Sequence, residues 1–300
     1  MKRCAISTCQ PVGVLTRGST ADVWLARRCG AEVVVKVYDE RHHSELLTRQ
    51  ECRADRLNHP HIAKVIGGGR ALVDWGQPPI PGEEPARRYY TVQEHAPGRV
   101  LKDVFDWPTL RAVLRGVLLG LEHAHGQGLL HRDIKPGNVI VEGVGPATMA
   151  RIIDWGICWD MAPGARNAFP GLTAGTPGYM PLEQVLAQRH HLGPWSDLYA
   201  VGCLAHRLAA GHTPVRGISH RQVLDSMKAT ALACEKMPND VRPGEWGQGF
   251  VDWVGWLMSI PPARRPQSAR EALDALEVIE APAARYEDLP WTVAVAAKVG

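Results

Sequence analysis

The hydrophobic pattern of this chain changes its period part-way along, and no other feature restricts the fold as much. Early on, Val12 to Leu15, Ala21 to Ala26 and Glu32 to Tyr38 are short runs rich in Val, divided by Gly, Ser, Thr or Arg-Cys-Gly turns. Such runs predict strands. A helix is predicted from about His42 to Leu57, stopped by Asn58-His59-Pro60. Further strands are expected near Ile62 to Val65 and Tyr89 to Glu94, with a surface loop over Gln77 to Pro85, which holds four prolines. Later the period becomes helical. Leu110, Val113, Leu114, Val117, Leu118 and Leu121 would share one buried helix face. Val139 to Val141 and Met149 to Ile153 flank a Gly-Pro turn and predict a small hairpin. Leu198 to Leu208, apolar nearly all round, predicts a buried central helix ended by Gly211. Ser268 and Glu271 form a capping box that opens a last helix to about Val278, and residues from Ala281 read as a tail. Strands first and helices afterwards predict an α+β fold with two lobes.

A length of 300 residues suits one large two-lobed domain. The net charge of +3 gives no reason to expect a nucleic-acid or acidic-lipid partner. No apolar run is long enough to span a bilayer. Met1-Lys2-Arg3 is basic, but Cys9, Gln10, Pro11 and Gly13 follow without a continuous apolar stretch, so no signal peptide is expected. The seven cysteines are scattered and lack a C-x-x-C pair, which predicts reduced thiols and a cytoplasmic setting. The pairs His42-His43 and His190-His191 lack metal spacing and read as surface residues.

The strongest chemical signal is His131-Arg132-Asp133-Ile134-Lys135-Pro136-Gly137-Asn138, between the Leu110–Leu121 helix and the hairpin. Asp154-Trp155-Gly156 follows sixteen residues beyond Asn138, and Gly175-Thr176-Pro177-Gly178-Tyr179-Met180-Pro181-Leu182-Glu183 lies further on. Upstream, Val33-Val34-Val35-Lys36 ends a strand. In order, spacing and context the set resembles the eukaryotic-like serine/threonine protein kinases, with a build similar to bacterial members. The resemblance covers roughly residues 12–278. It implies an N-terminal extension 1–11, a kinase domain 12–278 divided into lobes 12–95 and 96–278, and a tail 279–300.

Phosphoryl transfer needs a held triphosphate, an in-line hydroxyl and cations over the developing charge. By the resemblance, Asp133 orients a substrate hydroxyl and accepts its proton, and Lys135 contacts the transferring phosphate. Lys36 holds the α- and β-phosphates of ATP, while Asn138 and Asp154 bind Mg²⁺ through hard oxygen donors. Gln93 takes the place before the adenine-binding Glu94 carbonyl and Ala96 amide, with Leu15, Gly18, Val23, Val34 and Ile140 around the nucleotide. Glu183 and Arg265 match a buried ion pair, and Asp197 matches the anchor of the catalytic loop. Arg132 before Asp133 points to regulation by an anion on the activation segment. Thr173 is the expected autophosphorylation site, and Thr176 is expected to position Asp133 and Lys135.

The chain departs from the pattern in four places. Leu15-Thr16-Arg17-Gly18-Ser19-Thr20-Ala21 keeps only Gly18 of three loop glycines; Trp155 replaces a Phe, and Val34 replaces an Ala near adenine. The partner of Lys36 is the fourth: counting back seven residues from Leu57 reaches Gln50, with Glu51 beside it and Glu45 a third candidate. Glu51 is taken as the partner, which needs a one-residue deletion before Asn58. Two other functions compete with a protein kinase acting on Ser/Thr hydroxyls. A nucleotide-binding pseudokinase would suit the worn glycine loop, and a small-molecule phosphotransferase shares the Asp-to-Asn spacing. Substrate identity and oligomeric state are not encoded legibly.

Overall fold

The computed structural model describes residues 5–18, 20–39, 44–73, 75, 87–104, 106–165, 174–215, 219–233 and 239–281. Thr173, His42-His43 and the Gln77–Pro85 segment therefore lie outside the described residues.

β1 (Gln10–Arg17), β2 (Ala21–Arg28) and β3 (Ala31–Tyr38) form an antiparallel meander, continued by α1 (Ser44–Glu51) and β4 (Val65–Leu72). β5 (Arg87–Glu94) inserts between β3 and β4, so the sheet order is β1-β2-β3-β5-β4. Alternation along β3 sends Val33, Val35 and Val37 into one cluster with Ile6, Trp24, Ala26, Tyr90 and Val92. Val34, Lys36 and Tyr38 take the other face, and they too are buried. Burial on both faces explains why this strand reads as an almost unbroken apolar run.

Two elements differ from the sequence reading. The helix predicted from His42 to Leu57 is α-helical only over Ser44–Glu51 and tightens to a 3-10 helix over Cys52–Arg56. The strand expected at Ile62–Val65 begins where that prediction ended, at Val65. Ile62 makes only an isolated bridge to Ile152. Gly67-Gly68-Gly69 lies within β4, where the backbones of β4 and β5 approach closely. A Cβ on Gly68 would stand 2.5 Å from the Tyr90 carbonyl oxygen.

The second lobe carries β6 (Arg99–Val100), α2 (Trp107–Gly126), β7 (Leu129–Leu130), β8 (Val139–Glu142), β9 (Met149–Ile152), β10 (Trp159–Asp160) and α3 (Leu182–Val185). α4 (Pro194–Ala210), α5 (His220–Ala233), α6 (Pro243–Trp246), α7 (Gln248–Leu257) and α8 (Ala269–Glu277) complete it. Asp106 caps α2 by accepting the Thr109 amide at 2.7 Å. The apolar stripe of α2 then packs into one core with α4, α7 and α8. α4 is buried nearly all round and ends at Gly211, whose φ of 84° suits a left-handed cap. Ser268 accepts the Glu271 amide at 3.1 Å, while the Glu271 carboxylate reaches back to Gln267 rather than to Ser268 itself. The result is a two-lobed α+β fold, with the hairpin β8–β9 and the His131–Asn138 loop carried by the larger lobe. Among the described residues no helix is long and apolar enough to cross a membrane. Within the same residues Cys9, Cys29, Cys52, Cys158 and Cys203 are in no disulfide, and His190 and His191 are exposed.

Candidate active site

β3 and α1 meet at a buried ion pair. Lys36 Nζ lies 2.8 Å from Glu51 Oε1 and 2.9 Å from Asp154 Oδ1. Gln50 turns elsewhere: its Nε2 donates to the Cys158 carbonyl, and the Cys158 thiol donates back to the Gln50 carbonyl at 3.1 Å. The 3-10 segment after α1 winds more tightly than an α-helix, so it alters the count back from Leu57 that pointed to Gln50. Burial works against the Lys36 ammonium, yet Asp154 and Glu51 outweigh it and hold its pKa above the ordinary lysine value. Burial likewise opposes the Asp154 carboxylate, but Lys36 dominates and brings its pKa down to about 2.

Sequence reasoning missed two residues here. The Tyr38 hydroxyl donates to Glu51 Oε2, and Thr91 Oγ1 donates to the same oxygen at 2.9 Å. The signal was present in register: Tyr38 is two residues beyond Lys36 on the same strand face, and Thr91 is the cross-strand partner of Lys36. Glu51, with no exposed surface, thus has three donors. Glu51→Gln should lower kcat/KM about 10²-fold, the size expected when a reacting group is misplaced by an ångström. Gln50→Glu should not raise it, since its side chain serves Cys158. Steady-state rates of the purified variants check both, and a neutral Glu51→Gln would remove this pair from the active site.

The catalytic loop is held from below. Asp197, at the start of α4, accepts the His131 amide at 2.9 Å, the Arg132 amide at 2.7 Å and His125 Nε2 at 2.8 Å. Burial raises the Asp197 pKa, but His125 and these donors overcome it, and the group sits below the usual carboxylate range. Gln184, also missed in sequence, donates to the carbonyls of Arg132 and Ala174, both at 2.7 Å. These bonds fix Arg132 at φ 71°, a strained value for a residue with a side chain, and Asp154 stands nearby at φ 66°. The Arg132 guanidinium is buried, 5.3 Å from the Trp159 ring centre and 3.5 Å from the Ile157 carbonyl.

Asp133 gathers the remaining charge. Its Oδ2 accepts Lys135 Nζ at 2.7 Å and Asn138 Nδ2 at 2.9 Å, and its Oδ1 accepts the Thr176 hydroxyl at 2.6 Å. Thr176 in turn accepts Lys135 Nζ at 2.6 Å. Three donors leave room at a carboxylate that has roughly four acceptor positions. His131 accepts the Asp133 amide on Nδ1 at 3.1 Å, its Nε2 lies 3.0 Å from the Ile153 carbonyl, and its ring meets Trp155 edge-on at 4.6 Å. Trp155 is fully buried, and its indole N–H has no partner among the described residues.

Around the expected nucleotide position, Val23 pairs with Lys36 across β2–β3 and so shares its face. A register shift between Val14 and Thr16 leaves Leu15 unpaired and exposed. Val34 is buried opposite Gln93, Ile140 and Ala96 are half-buried, and Glu94 is exposed. Gly18 donates to the Ala21 carbonyl at 3.0 Å and closes the β1–β2 turn.

Residues 10–276 match the sequence model of the protein kinase domain. The chain belongs to the protein kinase family. Its relatives include the serine/threonine-protein kinase PknA of Mycobacterium tuberculosis, 30% identical over 284 residues, which cover 89% of this chain and 60% of PknA. The serine/threonine-protein kinase pkn2 of Myxococcus xanthus is 28% identical over 278 residues, 87% of this chain and 31% of that protein. The DNA damage-responsive serine/threonine-protein kinase RqkA of Deinococcus radiodurans is 30% identical over 270 residues, 86% of this chain and 37% of that protein. The kinase domain here therefore spans only part of the length of these relatives. The Lys36–Glu51–Asp154 cluster and the Asp133 network both fall inside the matched residues.

Proposed function

We propose that this chain is a serine/threonine protein kinase that transfers the γ-phosphate of ATP to protein hydroxyls. The catalytic unit is residues 12–278, with the nucleotide between 12–95 and 96–278. The Asp133 carboxylate, held by Lys135, Thr176 and Asn138 with one acceptor position to spare, carries this reading. It takes the proton of the substrate hydroxyl as the new O–P bond forms and the bond to the ADP oxygen breaks. Lys135 stays beside it as a cation over the transferring group. Lys36, kept charged by Glu51 and Asp154, serves the remaining phosphates.

The donor set also suits Mg²⁺. Asn138 gives its Nδ2 to Asp133, which leaves its amide oxygen, and Asp154 is ionised with its side chain 46% exposed. Asn138 and Asp154 would hold the ion, which when bound neutralises charge on the triphosphate. The names of the relatives support Ser/Thr as acceptors, as does Lys135 two residues after Asp133.

The purified chain, incubated with Mg²⁺, γ-labelled ATP and a mixed protein acceptor, should place acid-stable label on Ser and Thr. Mapping of the labelled chain itself should include Thr173. Absence of protein label, or label confined to Tyr or to small alcohols, would overturn the reading.

A further inference from the structure

A second cluster of chemistry-bearing side chains sits in the helical lobe, outside the network built on Asp133. His206 projects from the last turns of α4, His212 follows the Gly211 cap, and Asp240 lies just ahead of α6. Their ligand-type atoms all fall within 4.8 Å of one another. One carboxylate lies between two imidazoles: His206 Nε2 is 2.6 Å from Asp240 Oδ1, and His212 Nε2 is 3.0 Å from Asp240 Oδ2.

The other ring nitrogens decide what this means. His206 Nδ1 is 3.0 Å from the His212 carbonyl oxygen, and His212 Nδ1 is 3.2 Å from the Thr213 carbonyl oxygen. A carbonyl only accepts, so each Nδ1 carries a proton and donates it. Each Nε2 of a neutral ring then aims a lone pair at a carboxylate oxygen. That approach is repulsive unless the ring takes a second proton, which would make Nε2 a donor, or a metal cation stands between the two atoms. Nδ1–H on a backbone carbonyl with Nε2 turned to a shared centre is also the arrangement that orients metal-ligating histidines.

We propose that His206, His212 and Asp240 form a binding site for a divalent transition cation of the zinc type. Two imidazoles and a carboxylate suit zinc and its neighbours, and do not suit Mg²⁺ or Ca²⁺, which prefer oxygen alone. Bonds of about 2.0–2.2 Å at a tetrahedral centre set neighbouring donors roughly 3.3–3.6 Å apart. The observed 2.6 and 3.0 Å pairs must open by about 0.3–1 Å to reach that spacing. The movement falls on the exposed partners: the His212 and Asp240 side chains are 45% and 59% exposed, whereas His206 is buried and fixed on α4. Exposure leaves a fourth position for water. Asp240 is steadied by its neighbour, since Asn239 Nδ2 donates to the Val251 carbonyl of α7 at 2.8 Å. The ion would therefore clip the end of α4 to the chain that leads into α6 and α7.

The test uses the full chain stripped of metal with a chelator and titrated with zinc by calorimetry, with cobalt as a spectroscopic probe. One zinc per chain should bind in the wild type and raise the unfolding temperature. His212→Gln and Asp240→Asn, both at exposed positions, should each weaken binding at least about tenfold and abolish the thermal shift. Asp154→Asn should retain both, which separates this site from the nucleotide-linked metal. Zinc binding that is unchanged in both variants would overturn the proposal. So would a wild type that binds no zinc while both histidines titrate as a proton-only pairing with Asp240.

Discussion

Asp133→Asn should leave a folded protein whose kcat is about 10²–10⁴-fold lower, the range typical for loss of a positioned proton acceptor. An asparagine keeps one acceptor oxygen and so loses part of this network, but Asp197 and Gln184 still hold the loop through its backbone. What disappears is the capacity to take a proton from the attacking hydroxyl. KM for ATP should move far less than kcat, because Asp133 makes no bond to Lys36 or Asp154 and reaches the triphosphate end only through Lys135 and Asn138. Asp154→Asn offers the contrast. It removes a carboxylate that burial opposes and Lys36 holds ionised at a pKa of about 2. That variant should lose Mg²⁺-dependent ATP binding as well as turnover. Single-turnover kinetics and nucleotide titration separate the two effects. Near-normal kcat in Asp133→Asn would end the assignment of Asp133 as the proton acceptor.

The second large effect is on stability. Arg265→Ala should destabilise the fold by about 3–5 kcal/mol, the cost of stripping one partner from a buried ion pair. The guanidinium uses every N–H it has. It bonds Glu183 at 2.7 and 3.2 Å, the Ser259 carbonyl at 2.6 Å, the Ile260 carbonyl at 2.7 Å and the Trp195 carbonyl at 3.3 Å. It also lies 4.9 Å from the Tyr199 ring centre. Removing it leaves the Glu183 carboxylate buried with the Ser196 hydroxyl, at 2.9 Å, as its remaining side-chain donor. Glu183→Ala should cost less, because Arg265 keeps three carbonyls and the ring. Against a whole-domain stability of about 5–15 kcal/mol, either change is large. Urea unfolding should rank Arg265→Ala below Glu183→Ala and show strong non-additivity in the double variant. Equal, additive losses would mean that the two residues are stabilised separately rather than as a pair.

Much of this architecture could be read in the chain because local pattern and tertiary need agree. β3, α2 and α4 are buried as their periodicity demands. The exceptions arise where tertiary contact overrides local preference. Gly67-Gly68-Gly69 is strand because β5 presses against it, which a single sequence does not disclose. The Glu51 pairing depended on a 3-10 tightening that has no clear sequence mark. Tyr38 and Thr91 could have been found by following the face of Lys36 along β3 and across to β5. Gln184 could not, since its partners are backbone carbonyls brought near by the turn of the loop. His206, His212 and Asp240 escaped notice because Asp240 is far along the chain and joins the histidines only when α4 meets the lead into α6.

The double anchoring of α1 bears on how such an enzyme is switched. Glu51 is gripped by strand residues Tyr38 and Thr91 as well as by Lys36, and Gln50 is locked to Cys158 by reciprocal bonds. A resting state in which this helix swings outward would strand a dry carboxylate, a phenol and a threonine hydroxyl together. Outward movement would therefore cost the three buried bonds to Glu51 and both bonds between Gln50 and Cys158. Any control that rocked this helix would have to break all of these bonds together.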